Sequence, residues 1–249
     1  MELLVFGHAG TRMLVFPTRK QRFFEYEDHG MVHSLREYLK AGALQLICVD
    51  GIDDDSLYCF EKSPEGRIER HLQYEQYILE EVLPFSKNLN PGTPLIAHGC
   101  SFGAYHAMTL ALRHPRHFQR VLAFSGRYDL TLHAAEFHSL FHGFYSEELR
   151  EIMPSHFMPV LQDLKRIRAI RRLRFTLVVG DEDPFYPDNV VLTRAFTDLK
   201  IKHELHEWCG NAHRFRYWRQ MIRIYLGIPR PARAEPEALA SQSASDAGD

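Results

Sequence analysis

The chain has 249 residues, enough for one sizeable α/β domain with no second domain required. Hydrophobic residues at 45% and charged residues at 25% are an ordinary globular balance, and a formal net charge of -2 leaves no electrostatic footprint for nucleic acid. No run approaches the length of a transmembrane helix, and the opening MELLVFGHAG lacks the basic segment of a secretory signal. Cys48, Cys59, Cys100 and Cys209 show no C-x-x-C pairing, which reads as reduced thiols in a cytoplasmic protein.

Apolar runs at Leu3 to Phe6 and Met13 to Phe16 predict an antiparallel hairpin that leads into a main sheet. An aromatic and acidic loop, RFFEYEDHGMV, precedes a helix predicted from Met31 to Lys40. Leu44 to Val49 follows as a strand. The acids after it, Asp50 and Asp53 to Asp55, lack the spacing of a calcium loop and read as a solvated turn. Glu65 to Phe85 carries a helical apolar pattern and ends in the breaker-rich stretch from Asn88 to Pro94.

The stretch TPLIAHGCSFGAYHAMTLALR, Thr93 to Arg113, reads as strand, abrupt turn and helix. Its centre, Gly99-Cys100-Ser101-Phe102-Gly103, is a G-x-S-x-G pentapeptide. A serine held on such a turn takes a strained backbone, and the flanking glycines make room where a Cβ would collide. The Ser101 hydroxyl then stands at a helix N-terminus, where backbone N–H groups favour developing negative charge. Without partners it would be only a helix cap.

Arg120 to Phe124 supplies another buried strand, and Arg127, Tyr128 and Asp129 just after it are candidates for substrate contact at the same sheet edge. Residues 131–169 break the strand and helix alternation. Their aromatics, among them Phe137, Phe141 and Phe144, either line a pocket or pack a small cap onto the body. His133, His138 and His142 lack a carboxylate-histidine motif, so no metal is expected. In the basic run from Lys165 to Arg174, Ile167, Ile170 and Leu173 recur every three residues, the pattern of an amphipathic segment with a solvated cationic face.

Phe175 to Val179 is the next strand, followed at once by Gly180-Asp181-Glu182-Asp183-Pro184. Either Asp181 or Asp183 is placed to orient a histidine. Pro184 biases Asp183 toward extended backbone. Ile201 to Trp208 alternates as the last strand. His213 stands beyond its end, whereas His203 and His206 lie inside it.

Through HGCSFGA, GDEDPF and GNAH the chain resembles the α/β-hydrolase superfamily and, within it, the esterase D-like group of esterases, over roughly Leu14 to Gly227. The resemblance implies a mostly parallel sheet with antiparallel N-terminal strands, helices on both faces and a small cap. It also implies a serine hydrolase cleaving carboxylic esters or thioesters through Ser101, His213 and Asp183, with Asp181 as the alternative acid. Oxyanion donors are expected at the Phe102 amide and in the Thr18 region. Here the chain departs from the family's glycine-rich loop, because Pro17 has no N–H. Arg19, Tyr128 and Phe144 are the substrate-contact candidates. No cofactor, nucleic acid or membrane is implied, the partner is a small-molecule ester or thioester, and self-association into a homo-oligomer is left open. An acyltransferase with the same triad, or an inactive binding protein on this fold, are the rival readings. Residues 1–228 are read as the hydrolase domain, with 131–169 as its cap insertion. The Pro, Ala and Ser-rich 229–249 reads as a flexible tail.

Overall fold

One seven-stranded sheet in the order β1-β3-β2-β4-β5-β6-β7 organises the computed structural model, which describes residues 1–229. The proposed tail, apart from Pro229, lies outside the described residues. The strands are β1 (Leu3–Phe6), β2 (Thr11–Phe16), β3 (Leu44–Val49), β4 (Leu95–Cys100), β5 (Arg120–Phe124), β6 (Arg174–Gly180) and β7 (His203–Trp208). From β3 across to β7 every pairing is parallel; β1 lies antiparallel on β3. The expected hairpin is therefore corrected. β1 and β2 run in opposite directions but do not pair, because β3, buried along its whole length, sits between them.

Register explains why the inner strands are almost continuously apolar. Ile47, Leu14, Ala97, Val121 and Phe175 form one cross-strand row and face one cluster with Tyr74, Ile78, Met108 and Phe196. In the next row Cys48, Val15 and Leu122 face the other side, with Met31, Leu35, Trp218 and Met221. A strand covered by helices on both faces needs apolar side chains at successive positions rather than alternate ones. Each such buried aliphatic or aromatic side chain contributes roughly 1.5–3 kcal/mol.

Two helices differ from expectation for local reasons. The first splits into Met31–Ser34 and Arg36–Lys40 at Leu35. The second starts at Pro64, capped by the Ser63 hydroxyl, and continues to Leu89, but widens into a π turn over Ile78–Val82. Pro84 has no N–H to donate four residues back and its ring crowds that carbonyl, so the backbone opens just ahead of it. Leu164–Ile170 is a helix with Ile167 and Ile170 buried, as its apolar spacing predicts. Among the described residues no helix is long and apolar enough to cross a membrane. The parallel arrangement brings Phe16, Cys100, Phe124 and Gly180, the last residues of their strands, to one edge of the sheet.

Candidate active site

At that edge β4 passes into the helix Phe102–Arg113 through Ser101, whose φ of 55° and ψ of -119° lie outside ordinary side-chain-bearing conformations. The two glycines are needed by close approach. A Cβ on Gly99 would lie 2.2 Å from the Gly103 carbonyl carbon, and one on Gly103 would lie 2.3 Å from the Phe16 carbonyl oxygen. Ser101 N–H donates to the Phe124 carbonyl at 2.8 Å, which pins the turn to β5.

His213 reaches this turn from beyond β7. Gly210 and Ala212 take positive φ, and the Asn211 side chain accepts the His213 amide at 3.1 Å, so the imidazole is carried back over the sheet edge. Its Nε2 lies 2.9 Å from Ser101 Oγ and its Nδ1 lies 2.8 Å from Asp183 Oδ2. Asp183 is 3% exposed, and its second oxygen accepts the Phe185 amide at 3.0 Å. With Nδ1–H donating to the carboxylate, Nε2 is the acceptor that faces the serine O–H. The sequence left Asp181 and Asp183 open. In the structure Asp181 turns outward and takes the Gly210 amide at 2.7 Å, while Asp183 meets the imidazole.

The loop beside the serine is built differently from the expectation for Thr18. The Thr18 amide donates to Glu25 Oε2 at 2.7 Å and the Thr18 hydroxyl to Oε1, so this N–H is already taken. Burial raises the Glu25 carboxyl above its ordinary value, and the Thr18 hydrogen bonds oppose that rise. Two further carboxylates brace the same loop. Asp53 accepts the Lys20 amide at 2.8 Å, and Asp50 accepts the Arg22 Nε–H at 2.7 Å and the Phe23 amide at 3.2 Å. The solvated turn holds for the exposed Asp54 and Asp55 and is corrected for Asp50 and Asp53, which are 7% and 2% exposed; Asp53 also meets His106 Nε2 at 3.1 Å. Between these fixed amides the Arg19 N–H makes no hydrogen bond among the described residues. The acids after β3 were visible in the sequence, but nothing local tied them to a loop about thirty residues earlier.

Residues 28–225 match the family model described as "Putative esterase". The chain belongs to that family. Among curated proteins none matches. Of the solved structures, a ferulic acid esterase aligns at 15% identity and a TM-score of 0.69, over 90% of this chain and 90% of the other. An S-formylglutathione hydrolase from Agrobacterium tumefaciens aligns at 15% identity and 0.68, over 90% and 87% of the two chains. One from Staphylococcus aureus aligns at 16% and 0.62, over 88% and 80%. At such identities the structures carry the α/β-hydrolase fold, and the family carries the class, an ester-hydrolysing enzyme.

The esterase holds Ser101 and His213 at the floor of an open cleft of about 380 Å³. Its walls include Arg19, Tyr58, Arg127, Phe137, Phe185 and Arg214. Two of the three expected substrate contacts are not there. Tyr128 is fully buried, its ring packed over Gly126, because its amide and that of Asp129 both donate to the buried Asp188 carboxylate and draw the chain inward. Burial pushes the Asp188 carboxyl up to about 6. Phe144 packs against Phe141 in a satellite cluster with Tyr105 and Met153 and does not line the cleft. Their places are taken by Phe137 and Phe185, whose ring centroids lie 6.1 and 5.7 Å from the imidazole.

Proposed function

We propose that the protein is a serine hydrolase of carboxylic esters or thioesters in which Ser101 is the nucleophile, His213 the general base and Asp183 the residue that orients the imidazole. The observation that carries this reading is the unbroken chain from Ser101 Oγ to His213 Nε2, at 2.9 Å, and from Nδ1 to Asp183 Oδ2, at 2.8 Å. Nε2 takes the hydroxyl proton as Oγ attacks the carbonyl carbon, and the imidazolium then gives that proton to the leaving alkoxide or thiolate. Water, deprotonated by the same nitrogen, cleaves the acyl-enzyme and releases the acid.

Oxyanion stabilisation is assigned to the Phe102 N–H, at the start of its helix, and to the Arg19 N–H in place of Thr18. An unpaired amide between two carboxylate-anchored neighbours supports that choice. Donors of this kind typically contribute about 3 kcal/mol each to the transition state. Thioesters are included because S-formylglutathione hydrolases share the fold. The four cysteines, all unpaired, support a cytoplasmic setting. The test is covalent labelling by a fluorophosphonate followed by peptide mapping. Ser101 carries the adduct in the native protein, and Ser101→Ala neither labels nor hydrolyses a p-nitrophenyl ester above background. Unimpaired turnover by Ser101→Ala would remove the assignment.

A further inference from the structure

Three arginines, Arg19, Arg127 and Arg214, line the cleft that holds Ser101, and no carboxylate stands among the lining residues. Among the described residues none of the three has a carboxylate within ion-pair distance. Arg127 is 2% exposed. Its Nε donates to the Asp129 carbonyl at 3.3 Å and its Nη2 to the carbonyls of Leu132 and His138 at 2.9 and 2.7 Å. These bonds use neutral acceptors; the Tyr58 hydroxyl and the Asp129 and Asp188 carboxylates lie close enough to act on the guanidinium, but none makes a hydrogen bond or ion pair with Nη1. Arg12 and Arg67 are also buried on neutral acceptors, but neither lines this cleft.

The cations are held in place by aromatic faces that also border the imidazole. Arg127 lies 5.6 Å from the Phe185 ring centre, and Arg19 lies 5.5 Å from Phe137 and 5.9 Å from Tyr58. Phe137 and Phe185 are themselves in contact, with centroids 4.8 Å apart. The two guanidiniums thus flank one aromatic wall beside His213. A buried cation with no carboxylate at ion-pair distance is only partly compensated, and a ligand anion that reaches it is bound through short, charge-assisted hydrogen bonds. Anchoring the loop from Asp129 to His138 accounts for Nε and Nη2 of Arg127, but that role leaves Nη1 without a hydrogen bond and the cleft lined by arginines with no carboxylate among them.

We propose that this cleft selects esters or thioesters bearing an anionic group, a carboxylate placed a few bonds from the scissile carbonyl, with Arg127 and Arg19 as its receptors. The inference rests on the catalytic reading of Ser101 and adds the substrate's charge to it. The anion is carried either by the acyl half or by the leaving group, and two pairs of esters separate these. p-Nitrophenyl hydrogen adipate against p-nitrophenyl hexanoate places the charge on the acyl side. p-Acetoxybenzoate against its methyl ester places it on the leaving side.

In one pair the anionic member is expected to show kcat/KM about 10- to 100-fold higher at low salt, with the preference shrinking as salt is added. Arg127→Gln should bring the two members of that pair within about threefold, and Arg19→Gln should narrow the gap partway, since its guanidinium is more exposed to water. Should Arg127→Gln not fold, the exposed Arg19→Gln carries the comparison. Fluorophosphonate labelling is run on the same preparations. Labelled Ser101 with no charge preference in either pair sinks the anion inference and leaves the hydrolase standing. Absence of labelling sinks the hydrolase. Calorimetry of monomethyl adipate against dimethyl adipate on Ser101→Ala then decides the anion site alone: equal or absent binding overturns it, and preference for the monoanion, lost in Arg127→Gln, upholds it.

Discussion

At the scale of single residues, the division of labour between two neighbouring aspartates is set by where each side chain can find a donor. Asp183 is buried and meets an imidazole N–H, whereas Asp181, two residues earlier, is exposed and closes the turn that delivers that imidazole. Asp183→Asn should therefore lower kcat by as much as about 10⁴-fold, because an amide N–H facing Nδ1 favours the wrong tautomer. Asp181→Asn keeps an oxygen for the Gly210 amide and should change kcat by less than about threefold, since one exposed hydrogen bond is worth about 1 kcal/mol or less. Steady-state rates of the two variants on one p-nitrophenyl ester check this; equal losses would contradict the geometry. Both candidates were legible in the sequence as a short acidic loop after a strand. Choosing between them required the position of the Gly210 amide, which belongs to a different loop.

At the scale of elements, the elbow and the loop after β2 are one device. Gly103 lets the helix Phe102–Arg113 approach until a Cβ there would lie 2.3 Å from the Phe16 carbonyl and 2.6 Å from that of Pro17. Glu25, Asp53 and Asp50 hold the same loop from its other side. Gly103→Ala must push the loop away from Ser101. The expected cost is roughly 1–3 kcal/mol of stability, as for other overpacked sites. A fall in kcat beyond what the unfolded fraction explains should accompany it, because Arg19 N–H moves with the loop. Urea midpoints and kcat measured together test this, and a stable variant of normal rate would show that the contact is not tight. A glycine-rich loop is the usual sequence signature for an oxyanion donor. Here rigidity comes from carboxylates distant in sequence, so residue pattern alone pointed to Thr18.

For the whole molecule, covering the sheet on both faces forces some titratable side chains into the interior without ionic partners. Burial, reinforced by nearby His106, lowers His71 to about 3, and burial lowers His98 to about 4. His98 donates Nδ1–H to the Leu122 carbonyl at 2.7 Å, and its Nε2 is buried without a partner. In the unfolded chain each takes up a proton at the ordinary histidine value, near 6.5. Unfolding therefore binds protons below that pH. The stability held by neutral His71 is fully present above about 6.5 and is lost as pH falls toward its folded value. Asp188 and Glu25, both raised, act in the opposite sense and lose their contribution as pH rises. A difference between two proteins cancels those terms. Native stability minus that of His71→Gln should drop by about 1.4 kcal/mol per pH unit between about pH 6 and 4. Urea unfolding across that range is the measurement, and parallel stability curves would refute a buried neutral His71.

The chain alone determined the strained serine between its two glycines, the apolar runs that became the inner strands, and the amphipathic stretch at Ile167 and Ile170; the mostly parallel class and the pairing of that serine with an acid and a histidine came through the family resemblance. The local features are encoded within a few residues by turn chemistry or by the spacing of apolar side chains. Only the folded molecule decided that β3 separates β1 from β2, that Thr18 spends its amide on Glu25, that Tyr128 turns inward to Asp188, and that Arg19 and Arg127 meet across Phe137 and Phe185. Those outcomes depend on which distant groups satisfy each buried donor, acceptor and apolar face, and that competition is settled by packing over the whole chain rather than by any local pattern.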